Sequence, residues 1–295
     1  MAVCIVLFSI CGFNFVFIKE IRNKKSTNLP LKKNLNLSII YQDNDIVVVN
    51  KPAGIVTHRA NLKSKISKIK TEEKELFLTD WLAEKFPEMK KVGDEPELRP
   101  GIVHRLDKET SGVLVAARNK KSFEFLKNQF QKREVVKKYL ALVEGELKND
   151  LPTGQAGNGL IDLPIGRSAS DFRKKLASDS AKGELREAVT EYKVLERFGN
   201  VEHSMSNIGH PYTLVEAYPK TGRTHQIRVH FKAIGHPVVC DSLYGGKRMT
   251  CPFGLARHFL HANFLEFVSP FGARLKLGAD LPEDLAEVLA GLRKK

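Results

Sequence analysis

A chain of 295 residues with 42% apolar side chains can bury a full core, which excludes a disordered or fibrous protein and fits one large catalytic domain or two small ones. Lysine and arginine outnumber aspartate and glutamate 48 to 34, and the net charge of +14 gives a surface field that favours polyanions such as nucleic acid. The cysteines, Cys4, Cys11, Cys240 and Cys251, form no CxxC pair, so their spacing indicates neither a zinc ribbon nor a disulfide framework and points to a reducing cytoplasm.

In chain order, Met1 to Ile18 is almost wholly apolar and is followed by Lys19, Arg22, Lys24 and Lys25. The stretch lacks the positive start of a signal peptide and is barely long enough to span a bilayer. A membrane anchor, a start assigned too far upstream and a disordered tail are the three readings open to it. Residues 1–38 are therefore set apart as an apolar and basic extension, and residues 39–295 as the catalytic domain. Asp43-Asn44-Asp45 is turn chemistry, and the apolar run Ile46 to Val49 predicts a buried strand ending at Lys51-Pro52. Lys63 to Lys74 is lysine-rich and predicts an exposed loop. Thr79 is placed as the cap of a helix that carries Leu82 and Phe86. Val113 to Ala117 reads as a strand, Phe123, Leu126 and Phe130 as a helix stripe, and Tyr139 to Val143 as another strand.

Leu151 to Gly159 predicts an exposed connection, and Gly199 to His210 an irregular loop before a strand over Tyr212 to Ala217. Thr224 is placed as the cap of a helix whose Ile227, His230, Phe231 and Ile234 form the buried stripe and which Gly235 and Pro237 end. That register leaves Arg223 in the entry loop and turns Arg228 to the border of the core face. Pro282 opens a last helix with Leu285, Val288, Leu289 and Leu292 on one side. Mixed elements without a strict βαβ rhythm give an α+β fold. From Arg118 to Lys138 eight basic residues face two acidic ones, either as a solvated helix face or as a track for a phosphate backbone.

The chemistry concentrates in two segments. In His104-Arg105-Leu106-Asp107-Lys108-Glu109-Thr110-Ser111-Gly112 a carboxylate sits on a loop that feeds a buried strand, which suits a nucleophile or general base. On its own, Asp before Thr-Ser-Gly is also an ordinary turn sequence. The second segment is Thr221-Gly222-Arg223-Thr224-His225-Gln226-Ile227-Arg228-Val229-His230. His225, His230, His258 and His261 lie among apolar residues, which suits core histidines better than metal ligands, and no acidic pair accompanies Asp107, so no metal site is assigned.

HRLDKETSGVLV, TGRTHQIRVHFKAIGHPVV, DSLYG and RHFLHA stand in the order seen in RluA-type pseudouridine synthases, and the opening YQDNDIVVVNKPAGIVTH resembles that family's first motif. Cys240 falls where the family usually has glycine. The resemblance implies a mixed, mainly antiparallel sheet flanked by helices with a central RNA-binding cleft. It implies isomerisation of uridine to pseudouridine in ribosomal large-subunit RNA, transfer RNA or both, by a monomer without cofactor or metal. By resemblance Asp107 is the catalytic aspartate, Tyr139 the tyrosine that stacks on the target base, and Arg228 the basic residue that pairs with the aspartate. Arg105 resembles the arginine that displaces the target uridine, and His104, Arg223, Thr224, His225 and Gln226 fall on the substrate side. A non-catalytic RNA-binding or ribosome-assembly protein on the same fold is the alternative.

Overall fold

The computed structural model describes residues 5–10, 13–18, 37–59, 76–147, 158–178, 181–203, 206–246, 249 and 251–294. In chain order the strands are β1 (Ile5–Ile10), β2 (Phe13–Ile18), β3 (Ser38–Gln42), β4 (Ile46–Lys51), β5 (Ser111–Ala117), β6 (Val136–Glu144), β7 (Asn158–Asp162), β8 (Ile165–Arg167), β9 (Lys175–Leu176), β10 (Lys182–Arg186), β11 (Val189–His203), β12 (Ser206–Pro219), β13 (Leu260–Val268) and β14 (Arg274–Gly278). The helices are α1 (Leu78–Lys85), α2 (Lys120–Gln131), α3 (Gln226–Ala233) and α4 (Glu283–Arg293). The chain divides into two compact units, one of residues 1–135 with 264–279, the other of 136–263 with 280–295. The loop expected over Lys63 to Lys74 lies outside the described residues, as do residues 151–157 of the connection expected before Gly159.

In the first unit β1 and β2 pair as an antiparallel hairpin, and no helix among the described residues is long and apolar enough to cross a membrane. β4 lies antiparallel between β3 and β5. The turn before β4 is held by Asp43, whose Oδ1 accepts the amides of Asp45 and Ile46 at 2.7 and 2.8 Å, an arrangement that short acidic side chains favour. α2 starts at Asn119, whose side chain caps the amide of Ser122 at 2.9 Å. Its Phe123 and Leu126 pack with Val113, Val115 and Ala117 of β5 and with Leu265, Phe267, Leu275 and Leu277, each such buried side chain contributing about 1.5–3 kcal/mol. The cap expected at Thr79 is absent. α1 begins two residues earlier than that cap would set it, Phe77 takes the cap position without a side-chain bond, and Thr79 is buried with no partner for its hydroxyl.

In the second unit the sheet runs β6-β12-β11-β7, every neighbour antiparallel. Strand side chains alternate between faces, and that alternation sorts the helices. Ala141, Val143, Val215 and Ala217 pack against Ile227 and Phe231 of α3, whereas Leu142 and Leu214 pack against Leu285, Val288, Leu289 and Leu292 of α4 on the opposite face. A separate small sheet has the order β10-β8-β9. The irregular loop expected over Gly199 to His210 is instead a continuation of the β11–β12 ladder, interrupted by register shifts between Phe198 and Val201 and between Val201 and His203, and these bulges erase the two-residue periodicity that marks a strand. Gly159 belongs to β7 rather than to a loop, and a Cβ there would meet the Tyr192 ring at 2.3 Å. The expectation of no disulfide is also corrected. Cys240 and Cys251 are joined, with Cα atoms 5.2 Å apart, because the fold returns the chain on itself after β12 and α3. Cys240 has φ +57°, a left-handed conformation that glycine adopts without strain.

Candidate active site

Asp107 lies in the first unit, half-buried, on the loop between Ile102 and β5. Its own carbonyl accepts the amide of Thr110 at 3.1 Å, which closes a turn. The residues on either side of it are fastened to the segment that follows β4. Thr57 Oγ1 donates to the carbonyl of Leu106 at 2.7 Å and accepts the amide of Leu106 at 3.2 Å, so one hydroxyl serves as both strand partners. The carbonyl of Lys108 accepts the amide of Gly54 at 2.9 Å and Nζ of Lys51 at 3.1 Å. Gly54 has φ +83°, a turn open to glycine at little strain. Lys51 is fully buried, and its Nζ also donates to the carbonyls of Pro52 and Ile55 at 2.8 and 2.9 Å. A buried ammonium with three carbonyl acceptors is the arrangement that offsets its desolvation. Neither Lys51 nor Thr57 is singled out by sequence reasoning. The available signal was a lysine two residues beyond the buried apolar run Ile46 to Val49.

His104, expected on the substrate side, is engaged in holding this loop. Its Nε2 accepts the amide of Val115 in β5 at 3.0 Å, which puts the proton of a neutral ring on Nδ1, and the ring stacks on Phe130 of α2 with centroids 4.6 Å apart. Arg105 is exposed. Nearby, burial and then the charges of Arg105 and Arg99 push His58 below the ordinary histidine value, outweighing a bond from its ring to the carbonyl of Arg59.

Tyr139 and Arg228 belong to the second unit, where Tyr139 packs with the apolar cluster on the α3 side of the sheet. Arg228 is 6% exposed. Its Nε and Nη2 donate to Asp241 Oδ2 and Oδ1 at 2.6 and 2.8 Å, a two-pronged pair with a fully buried carboxylate that the sequence reading does not anticipate. Burial pushes the Asp241 carboxyl up, but the Arg228 guanidinium, the charge of His258 and the amide of Tyr244 hold it below the usual carboxylate range. Arg228 also lies over the Tyr244 ring, 5.1 Å from its centroid.

The helix entry differs from expectation. His225, in the left-handed region at φ +57°, takes the cap position of α3 without capping it through its side chain, and Thr224 is exposed. Gln226 does the fastening that a threonine cap would have done. Its Oε1 accepts Thr221 Oγ1 at 2.6 Å and the amide of Arg223 at 3.0 Å, and its Nε2 donates to Val189 O and Thr190 Oγ1 at 2.9 and 3.0 Å. Two bonds accepted and two donated engage the whole of this primary amide with protein groups. Arg223 Nε donates to Glu187 O at 2.9 Å, and His225 Nδ1 meets Tyr244 OH at 2.9 Å. His230 is fully buried between Thr190 Oγ1 and Leu163 O, and burial keeps its pKa below the ordinary value. Among the described residues no group of three or more His, Cys, Asp or Glu side chains is placed to hold a metal ion.

An α+β protein whose Asp107 stands on a loop fastened through Leu106 and Lys108, and whose Arg228 is held by Asp241, offers the rigidly supported charged groups that an enzyme working with fixed charges needs. Comparison with known proteins defines which. The family model for RNA pseudouridylate synthases matches residues 45–233. An RNA pseudouridine synthase of Bacillus subtilis, YlyB, is 38% identical over 265 residues, covering 90% of this chain and 75% of that one. A ribosomal large subunit pseudouridine synthase D of Pseudomonas aeruginosa is 36% identical over 275 residues, covering 90% and 74%. Among solved structures, human RNA pseudouridylate synthase domain containing 1 superposes with a TM-score of 0.59 at 29% identity, covering 88% of this chain and 96% of that one. The chain belongs to the RNA pseudouridine synthase family, enzymes that isomerise uridine to pseudouridine within RNA.

Proposed function

We propose that Asp107 is the catalytic carboxylate of this pseudouridine synthase and that its substrate is ribosomal RNA of the large subunit, as the names of the relatives from Pseudomonas aeruginosa and Buchnera aphidicola state for those proteins. The observation that carries the assignment is the double fastening of Leu106 and Lys108, which holds Asp107, itself half-buried, from both sides. A reacting group needs that rigidity, since misplacement by an ångström is enough to lose catalysis. Product and substrate are isomers, so no electrons or groups enter or leave and no cofactor is called for. Asp107 either attacks the anomeric carbon or promotes loss of a ribose proton. Uracil is then released, rotates and rebonds through C5, and the C5 proton leaves.

In this reading Tyr139 stacks on the target base and Arg105 displaces it from its neighbours, while Arg228, its guanidinium held by Asp241, supplies a fixed positive charge to the site. His104 and Gln226 act by positioning, and Arg223, Thr224 and His225 border the substrate. The chain works as a monomer in the cytoplasm. The test is release of C5 hydrogen from transcribed large-subunit RNA by the purified chain, with Asp107→Asn giving no product while binding stays within a few fold. Substantial product from that variant removes Asp107 from the role. A pseudouridine map that changes in transfer RNA but not in ribosomal RNA when the gene is deleted moves the target.

A further inference from the structure

The small sheet of the second unit carries a feature that folding alone does not explain. Cross-strand partners on paired strands project from the same face. β10 pairs Lys182 with Arg167 of β8, and β9 pairs Lys175 with the same Arg167 on its other side. Three cations therefore stand in one row across three strands. Like charges directly opposite one another destabilise a sheet. Burial, and after it the charges of Arg167 and Arg186, lower the pKa of Lys175. Among the described residues Arg173 is paired with Asp171, and no ion pair joins Arg167, Lys175 or Lys182 to a carboxylate.

The turn that joins β8 to β9 adds a second observation. It is closed by the amide of Ser168 on Lys174 O at 3.1 Å and the amide of Lys174 on Asp171 O at 2.9 Å, and Asp171 Oδ1 accepts the amide of Arg173 at 3.0 Å. This bonded turn holds Phe172 at 89% exposure, the most exposed of the large apolar side chains among the described residues. The small sheet is also tied to the helix of Arg228. The amide of Lys175 donates to Tyr244 OH at 2.9 Å, and Tyr244 is the ring beneath Arg228.

We propose that Lys182, Arg167 and Lys175 bind successive phosphates of a single-stranded stretch of the RNA substrate and that Phe172 stacks on one of its unpaired bases. The inference rests on the RNA pseudouridine synthase reading only for the identity of the polyanion. A phosphate backbone neutralises a row of cations that otherwise repel, and an exposed ring gives a sequence-tolerant platform for a base. Glu184, exposed between Lys182 and Arg186 on β10, is the carboxylate that limits the site on that side.

The test is a titration of the full chain with a fluorescein-labelled oligouridylate and, in parallel, a blunt RNA duplex, over a range of salt. Arg167→Gln with Lys175→Gln should lower the salt slope for the oligouridylate by about 0.7 for each phosphate left without its cation, while the thermal midpoint of the free protein holds or rises because a repulsion is relieved. Phe172→Ala should weaken the oligouridylate by about fivefold or more, leave its salt slope alone and leave the duplex unaffected. Phe172→Trp should be quenched by the oligouridylate. An unchanged slope in the double variant, or a fall in its thermal midpoint that matches the binding loss, overturns the site. Binding is read here without product formation, so its failure is distinct from a failure of Asp107 to catalyse.

Discussion

Asp241→Asn keeps the volume of a fully buried side chain and removes the charge that faces Arg228. The remaining Oδ1 can still accept the amides of Leu243 and Tyr244, now at 3.0 Å, but the new amide group meets the Nε–H of Arg228, donor against donor. Removing one partner of a buried ion pair costs about 3–5 kcal/mol, because the other charge stays desolvated without compensation. Against a total of about 5–15 kcal/mol this is a large fraction. At about 2–4 °C per kcal/mol, the thermal transition should fall by roughly 6–20 °C. Scanning calorimetry measures it. Arg228→Met should show a similar loss, and the double variant should be less unstable than the sum by about 1.5 kcal/mol or more, since two neutral side chains leave no stranded charge. The acid limb adds a signature. The folded carboxyl of Asp241 titrates below its unfolded value, so its contribution is complete above about pH 4 and is lost as pH falls through the lowered folded value. Asp241→Asn should lack that part of the acid loss. A midpoint within about 2 °C of the parent, or strict additivity in the double variant, would refute the reasoning.

Lys51→Met removes the donor to three carbonyls, each of which then costs about 1–3 kcal/mol if left unpaired; urea unfolding should show a loss of at least about 2 kcal/mol, and turnover should drop further than RNA binding because Lys108 beside Asp107 loses a fastening. Retained turnover would leave the clamp to Thr57 and Gly54. Arg228→Lys keeps the charge but not the two-pronged geometry, so turnover should fall at least about tenfold, roughly 1.4 kcal/mol of barrier, with the RNA dissociation constant nearly unchanged. Lys120 and Lys121 are exposed in the first turn of α2, where a helix disfavours cations; replacing both with Gln should lower the salt slope for duplex RNA by up to about one unit each without loss of stability. An unchanged slope would make that end of the helix a solvated face.

Much of the architecture was legible because its signals are local. The four leucine and valine positions of α4 repeat within a few turns of helix, the run Ile46 to Val49 is continuous, and Asp43 builds its turn with amides two and three residues away. The loop around Asp107 and the segment around Arg228 also stand in the chain itself, although it is their resemblance to a family's motifs, and not their spacing, that gives these residues roles. Thr79 and Thr224 show where local reasoning fails. A threonine ahead of an apolar stripe is a good cap in isolation, but packing started α1 two residues earlier and buried Thr79, while the amide of Gln226 captured the entry to α3 that Thr224 was expected to hold.

What only the tertiary structure decided is partnership over distance. Thr57 meets Leu106 across 49 residues, Lys51 meets Lys108 across 57, and Cys240 reaches Cys251. Asp241 is separated from Arg228 by only 13 residues, yet a helix end and a turn intervene and no periodicity links them. A sequence states which side chains can pair and which faces are apolar. Which donor finds which acceptor depends on where strands and helices settle once their apolar faces are buried, and that choice is made by packing the whole unit at once.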